Sequence, residues 1–381
     1  MNFHRAGIAV AAVVLSAPAA MAQAEADGFN PSALVGEPQR VACTLETGVE
    51  AECLEFTVKY KPDDLEIGPF CPATIEEAGG IWHWTGQEAP GVYRIDGGFL
   101  AFLAEQGYVM YDAEGTVFID DLQGERRYDN ACLAAAQAEE VTVTMRLPLS
   151  PVMAETPTPL GTVAKVGVGL DGVPIFADAP TVEATGNMPA LDDCGGHVDP
   201  GGWYHWHATA SDITGLLSAA GVESACAVPQ DPTAQFGYAF DGFALYGHLE
   251  PDGSTPVGLD ACNGHAAPLQ EGGAPVYHYH ASEEFPNLPG CLVGVVAEGN
   301  FTTTAAQGIG SAGGQGGPGG PNGPGGVPPG FDAAAEALGV PVETLVRAVQ
   351  AAGGPQAALA DVAEALGVSE ADMRAALPAR R

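Results

Sequence analysis

The chain repeats itself, and that repetition limits its fold more than any other feature. Leu170-Asp171-Gly172-Val173-Pro174-Ile175-Phe176 matches Phe240-Asp241-Gly242-Phe243-Ala244-Leu245-Tyr246 at an offset of 70 residues. Asp192-Asp193-Cys194-Gly195-Gly196-His197 matches Asp260-Ala261-Cys262-Asn263-Gly264-His265 at an offset of 68. Tyr204-His205-Trp206-His207-Ala208 matches Tyr277-His278-Tyr279-His280-Ala281 at an offset of 73. The drift in offset is what loop insertions between fixed elements produce, and whatever one copy forms the other must form too. Each copy reads as a strand, an Asp-Gly turn, a second strand, a Cys-x-Gly-His loop and a His-bearing strand. The expected fold class is therefore mainly β with short helices, built on a duplicated β unit with a pseudo-twofold axis. A small all-α appendage is expected at the C-terminus.

The duplicated unit occupies residues 161–300. Before it, residues 36–160 form an N-terminal β-rich region, in which Leu54–Tyr60 and Val141–Leu147 alternate with period two, as strands with one buried face do. Gly98–Gln106 suits a short helix, and Gly115–Asp120 an extended segment. Residues 301–330 form a linker: from Gly308 to Gly330, 17 of 23 residues are Gly or Pro, too few side chains to bury a core. Residues 331–381 then repeat Ala335-Glu336-Ala337-Leu338-Gly339-Val340 as Ala363-Glu364-Ala365-Leu366-Gly367-Val368, the mark of two helical hairpins. These hairpins are a candidate docking surface for a protein partner. The tail is expected to be separable, so that a chain ending near Asn300 melts as the full chain does.

Residues 1–22 have the composition of a cleaved signal peptide: Arg5, an apolar run from Ala6 to Leu15, and a small-residue site at Ala20-Met21-Ala22. A periplasmic or secreted location is expected, with no membrane insertion, since the apolar run is too short to span. Cys43, Cys53, Cys71, Cys132, Cys194, Cys226, Cys262 and Cys291 all follow this leader, an even count that suits four disulfides in an oxidising compartment. Eight cysteines allow about 105 pairings, of which pairing between sequence neighbours is the simplest. With 13 Lys+Arg against 48 Asp+Glu the net charge is −35, which excludes nucleic acid as a partner because no basic surface can neutralise phosphates.

Seven of the nine histidines fall between His197 and His280. On a strand, residues i and i+2 share a face, so His205 projects with His207 and His278 with His280. Paired neutral imidazoles suit a transition metal, and His197 and His265 from the upstream loops supply a third nitrogen per copy. A His₃ set leaves a fourth position open to chemistry. The candidate ligands are thus His197, His205, His207, His265, His278 and His280, forming either two centres or one merged cluster. Asp193 and Asp199 are candidates to orient the imidazoles from behind, with Asp192 and Asp260 also close in sequence. Tyr204, Trp206, Tyr277 and Tyr279 alternate with the histidines and face the other way. His248 aligns with Asp178 and His83 stands alone, so the duplication supports neither as a ligand. Metal affinity is expected to weaken as pH falls through about 6.5, the ordinary histidine value.

The paired Cys-x-Gly-His and Tyr-His-x-His blocks, with Cys194-Gly195-Gly196-His197-Val198-Asp199-Pro200, resemble the YHYH domain of exported bacterial proteins over about 161–296. The first copy departs from the motif in carrying Trp206 for Tyr. The resemblance groups these residues without implying a reaction. The reading that follows is an exported, disulfide-containing protein that binds a transition metal, copper or zinc, through paired His-x-His strands and loop histidines. A metal-dependent hydrolase or oxidase with a His₃ site, and a surface or matrix module with structural histidines, are the alternatives. No catalytic residue is identified: the sequence has no Walker A, HExxH or GxSxG motif, and Gly167–Gly172 fits GxGxxG but runs into an extended segment where a helix is required.

Overall fold

The computed structural model describes residues 28–311 apart from residue 225, residues 331–340, and scattered positions between 344 and 376. The expected signal peptide at 1–22, most of the Gly/Pro-rich linker and much of the C-terminal repeat lie outside the described residues. The chain is mainly β with short helices. Strands β1 (Gln39–Thr44) and β2 (Glu50–Val58) form a hairpin. β3 (Ile81–Trp84), β4 (Gly91–Arg94), helix α1 (Gly97–Glu105), β5 (Ile119–Asp121), β6 (Cys132–Ala134), β7 (Val143–Pro148) and β8 (Met153–Pro159) follow. The helix starts where the Asp96 carboxylate accepts the Phe99 amide at 2.9 Å, capping one otherwise unpaired donor, and it buries Phe99, Leu100 and Leu103 against Trp82 and Trp84.

Period-two alternation places Leu54, Phe56 and Val58 on one face of β2, and Val143, Met145 and Leu147 on one face of β7. The two strands pair antiparallel with Phe56 opposite Met145 and Leu54 opposite Leu147, so the buried faces coincide. This face packs into one core with Val168, Ile175, Tyr204, Tyr238 and Tyr279 from the next region.

That region supplies β9 (Lys165–Gly169), β10 (Pro174–Phe176), α2 (Val182–Thr185), β11 (Gly196–Val198) and β12 (Tyr204–Trp206). After α3 (Ile213–Ala219) come β13 (Gln235–Ala239), β14 (Ala244–Tyr246), β15 (Gly264–Pro268) and β16 (Pro275–His280). All eight strands form one sheet in the order β11-β12-β10-β9-β13-β14-β16-β15. Counted outward from the central β9–β13 pair, both halves run first, second, fourth, third. In each half the His-bearing strand lies parallel to one neighbour and antiparallel to the other.

Two further strands lead the chain back. β17 (Cys291–Gly294) pairs with β8, and β18 (Phe301–Thr303) pairs with β7, setting Phe301 opposite Met145. Phe301 is buried, 5.5 Å from the Phe176 ring and 5.4 Å from Trp203, and the Thr303 amide donates to the Gly310 carbonyl. Residues 301–311, placed in the linker by composition, thus pack against the sheet through β18. A chain ending at Ser311 should keep the parent's denaturant midpoint. One ending at Asn300 should lose about 3–5 kcal/mol, the usual cost of deleting a buried aromatic, read as a lower midpoint. Equal midpoints for the two would show that β18 adds nothing.

Four disulfides join Cys43–Cys53, Cys71–Cys132, Cys194–Cys226 and Cys262–Cys291, each a pair of sequence neighbours. Beyond the linker, α4 (Phe331–Leu338) contributes Ala334 and Ala335 to an apolar cluster with Leu345, Val362 and Met373. Among the described residues no helix is long and apolar enough to cross a membrane.

Candidate metal centres

Antiparallel pairing sets His197 of β11 directly opposite His205 of β12, and His265 of β15 opposite His278 of β16. Directly opposite residues share a face with Cβ atoms about 5 Å apart, and the residue two further along shares that face as well. His207 and His280 therefore complete a triangle at either end of the sheet. His197 and His265 sit on short edge strands, not in the loops that the Cys-x-Gly-His spacing had indicated. The loops are the turns just before them.

In the first triangle His207 Nε2 lies 3.0 Å from His205 Nε2 and 3.1 Å from His197 Nε2. In the second, His265 Nε2 lies 3.0 Å from Glu250 Oε1, while His278 Nε2 and His280 Nε2 are each 3.7 Å from Glu250 Oε2. The potential ligand atoms of each group lie within 4.8 Å of one another. β12 and β16 are five strand steps apart, about 24 Å at the usual interstrand spacing, so the histidines form two centres and not one merged cluster.

The ring orientations are fixed from behind. His197 Nδ1 meets the Pro189 carbonyl at 3.2 Å, and His207 Nδ1 meets that of Ala177. His265, His278 and His280 hold Nδ1 on the carbonyls of Val257, Val276 and Gly247 at 2.9, 2.9 and 2.8 Å. A carbonyl oxygen only accepts, so Nδ1 carries the proton and Nε2 presents a bare lone pair. In the first triangle the lone pairs of His197 and His207 thus face each other. In the second, the Nε2 atoms of His265, His278 and His280 are buried and all face the Glu250 carboxylate.

In the first triangle protonation does not relieve this crowding at neutral pH. Burial pushes His197 down to about 4, and burial with repulsion between neighbouring imidazoles pushes His205 and His207 well below the ordinary histidine value. Burial also lowers His278 and His280. The sign for stability follows: an unfolded histidine binds a proton near 6.5 and native His197 does not, so its contribution is full above 6.5 and is lost as pH falls toward 4. Burial thus moves proton competition for folded His197 below the ordinary histidine value of about 6.5. Metal content of the first centre is therefore expected to hold through dialysis at pH 5.5 and to fall toward pH 4. Loss already complete at pH 5.5 would contradict the burial argument.

The aromatic residues between the histidines use the opposite face, where their polar tips meet carboxylates, of which Asp192 and Asp241 are buried. Tyr204 Oη donates to Asp192 and Tyr277 Oη to Asp260, both at 2.8 Å. Trp206 Nε1 donates to Asp171 at 3.2 Å, and Tyr279 Oη donates to Asp241. Asp192 and Asp260 also cap the turns they stand in: Asp192 takes the amides of Cys194 and Gly196, and Asp260 those of Cys262 and Gly264. Gly196 and Gly264 have no room for a Cβ, which would run into the hydroxyls of Tyr204 and Tyr277. The Gly before each edge-strand His is thus a steric requirement.

Asp193 pairs with Arg94, whose guanidinium also donates to backbone carbonyls. Asp199 accepts the Gly201 amide at 2.6 Å, and burial pushes its carboxyl up to about 7. Both serve the surrounding loops in these contacts. His248 pairs with Asp212, and His83 packs edge-on against Phe285; neither joins a triangle. Glu250 is the residue that sequence reasoning missed. It aligns with Pro180 in the first copy, so a search for what the copies share passes over it. The only signal was a carboxylate two residues beyond an unpaired histidine.

Neither a curated protein nor a solved structure matches the chain. A family model does match, over residues 144–258, which include His197, His205, His207 and Glu250 and stop short of Tyr277-His278-Tyr279-His280. The stretch from β7 to the loop beyond Glu250 is therefore similar to the YHYH protein family.

Proposed function

We propose that this is an exported protein that holds two transition-metal ions, zinc or copper, one at each end of its eight-stranded sheet. The first is held by His197, His205 and His207, and the second by Glu250, His265, His278 and His280. The observation that carries this reading is the convergence of buried Nε2 lone pairs on one another and on a carboxylate. Structural histidines would be paired donor to acceptor, because a buried unsatisfied polar group costs about 1–3 kcal/mol. A cation between the nitrogens turns the same arrangement from repulsive to attractive. The separations of 3.0 and 3.1 Å are close to the roughly 3.3 Å between nitrogens on a tetrahedral zinc with Zn–N near 2.05 Å. Imidazole nitrogen with one carboxylate favours zinc or copper over calcium or magnesium, which prefer all-oxygen shells.

The two centres belong to a duplicated β unit whose pseudo-twofold axis passes between β9 and β13. The antiparallel pairing of those strands and the matched order of the two halves support this. The four disulfides and the leader expected at 1–22 support export, and the terminal hairpins remain the candidate surface for a protein partner. Elemental analysis of protein from its native compartment, dialysed at neutral pH, tests the reading: two ions per chain are expected. Retention of no zinc, copper or other transition metal would end it in favour of a structural module.

A further inference from the structure

The two centres differ in one respect that bears on what they do. The same kinds of carbonyl anchor set the rings: Ala177 and Gly247 are aligned positions and hold His207 and His280, and Pro189 and Val257 likewise hold His197 and His265. Phe176 packs edge-on against His205 at 5.1 Å as its counterpart Tyr246 packs against His278 at 5.2 Å. The fourth donor breaks the match. Glu250 closes the second group, whereas among the described residues no His, Cys, Asp or Glu joins the three nitrogens of the first. Proline stands at position 180, where Glu250 would align, and has no side-chain donor to offer.

We infer that the first centre keeps one coordination position for an exogenous, small, monodentate ligand, and that the second does not. The inference rests on the metal reading proposed above. His205 is walled by Phe176 and by Trp203, 4.9 Å away, and it and His207 are almost fully buried. His197 is the partly exposed corner of the triangle, so a ligand reaches the ion past it. Charge sets the chemical class. Three neutral imidazoles leave a divalent ion its full charge, which favours water or a small monoanion, while Glu250 offsets one charge at the second centre and fills its position. A carboxylate-closed centre suits retention, and an open one in the same chain suits exchange with a small anion.

The test uses the full-length protein loaded with copper(II) and titrated with azide, read by the azide-to-copper charge-transfer band and by paramagnetic resonance. Two coppers and one azide per chain are expected. Glu250→Gln, a change at a partly exposed loop residue, should keep two coppers and raise the azide count to two. His207→Ala should lose one copper and the azide band together. Two coppers with no azide bound, or an azide band that survives His207→Ala unchanged, would overturn the inference and leave the metal reading standing. Failure to bind copper at all would overturn both.

Discussion

Replacing His205 and His207 together by Ala is expected to reduce bound transition metal from two ions per chain to one, and His278 with His280 to do the same at the other end. A structural zinc site with four ligands is worth about 10–16 kcal/mol, so two imidazoles carry about 6 kcal/mol, a roughly ten-thousandfold loss of affinity. The centres share no ligand, so each double variant should leave the other's affinity within about twofold of the parent, as expected for distant sites. Chelation should lower the parent's unfolding free energy by about 4 kcal/mol per centre, if free metal had stood a thousandfold above Kd. Each double variant should then respond to chelator by about half as much. His248→Ala, in contact with Asp212 and outside both triangles, should change neither count. Two ions retained by both double variants would place ligation elsewhere in the chain.

Asp241→Ala should be the most destabilising single change in the sheet. The carboxylate is fully buried and accepts from Tyr279 Oη, the Gly294 amide at 2.9 Å and the Phe243 amide at 3.3 Å. Tyr279 Oη in turn accepts the Val293 amide at 2.7 Å, so one side chain ties the second His strand to β17 and to the Asp-Gly turn. Removing it strands three buried donors at about 1–3 kcal/mol each. A loss of about 4 kcal/mol or more is expected, a large share of the roughly 5–15 kcal/mol that holds a typical domain. Asp241→Asn keeps one oxygen but turns the other acceptor into a donor, so it should recover only part of that loss. Tyr279→Phe should cost about 1–2 kcal/mol, the Val293 amide being the only donor left unpaired. Urea denaturation separates the three. A cost below about 1 kcal/mol for Asp241→Ala would mean that water replaces the carboxylate, and that the polar layer behind the histidines carries little of the stability.

Repetition makes the histidines legible from the residues alone, because a chemical requirement met twice leaves two copies in the chain. Glu250 is illegible for the same reason: it is where the copies differ, and a pattern found by likeness hides its exceptions. Proximity along the chain misleads for the acidic residues. Asp192 and Asp260 are near His197 and His265 in sequence, but strand alternation turns the Tyr204 and Tyr277 hydroxyls toward them. Alternation also predicts that β2 and β7 each bury one face. That they lie side by side depends on pairing Phe56 with Met145, and the return of β18 to complete their sheet depends on pairing Met145 with Phe301. Short-range periodicity contains no information on pairings between residues so far apart in the chain.

Cys194 and Cys262 each stand three residues before an edge-strand histidine, and their cystine partners lie 32 and 29 residues downstream. The turn that each bridge ties down is the turn that delivers the third imidazole to its triangle. A chain with reduced thiols therefore lacks one covalent tie near a corner of each triangle. On the metal reading proposed above, reducing these two bridges is expected to loosen that delivery and so to weaken ion binding at each group.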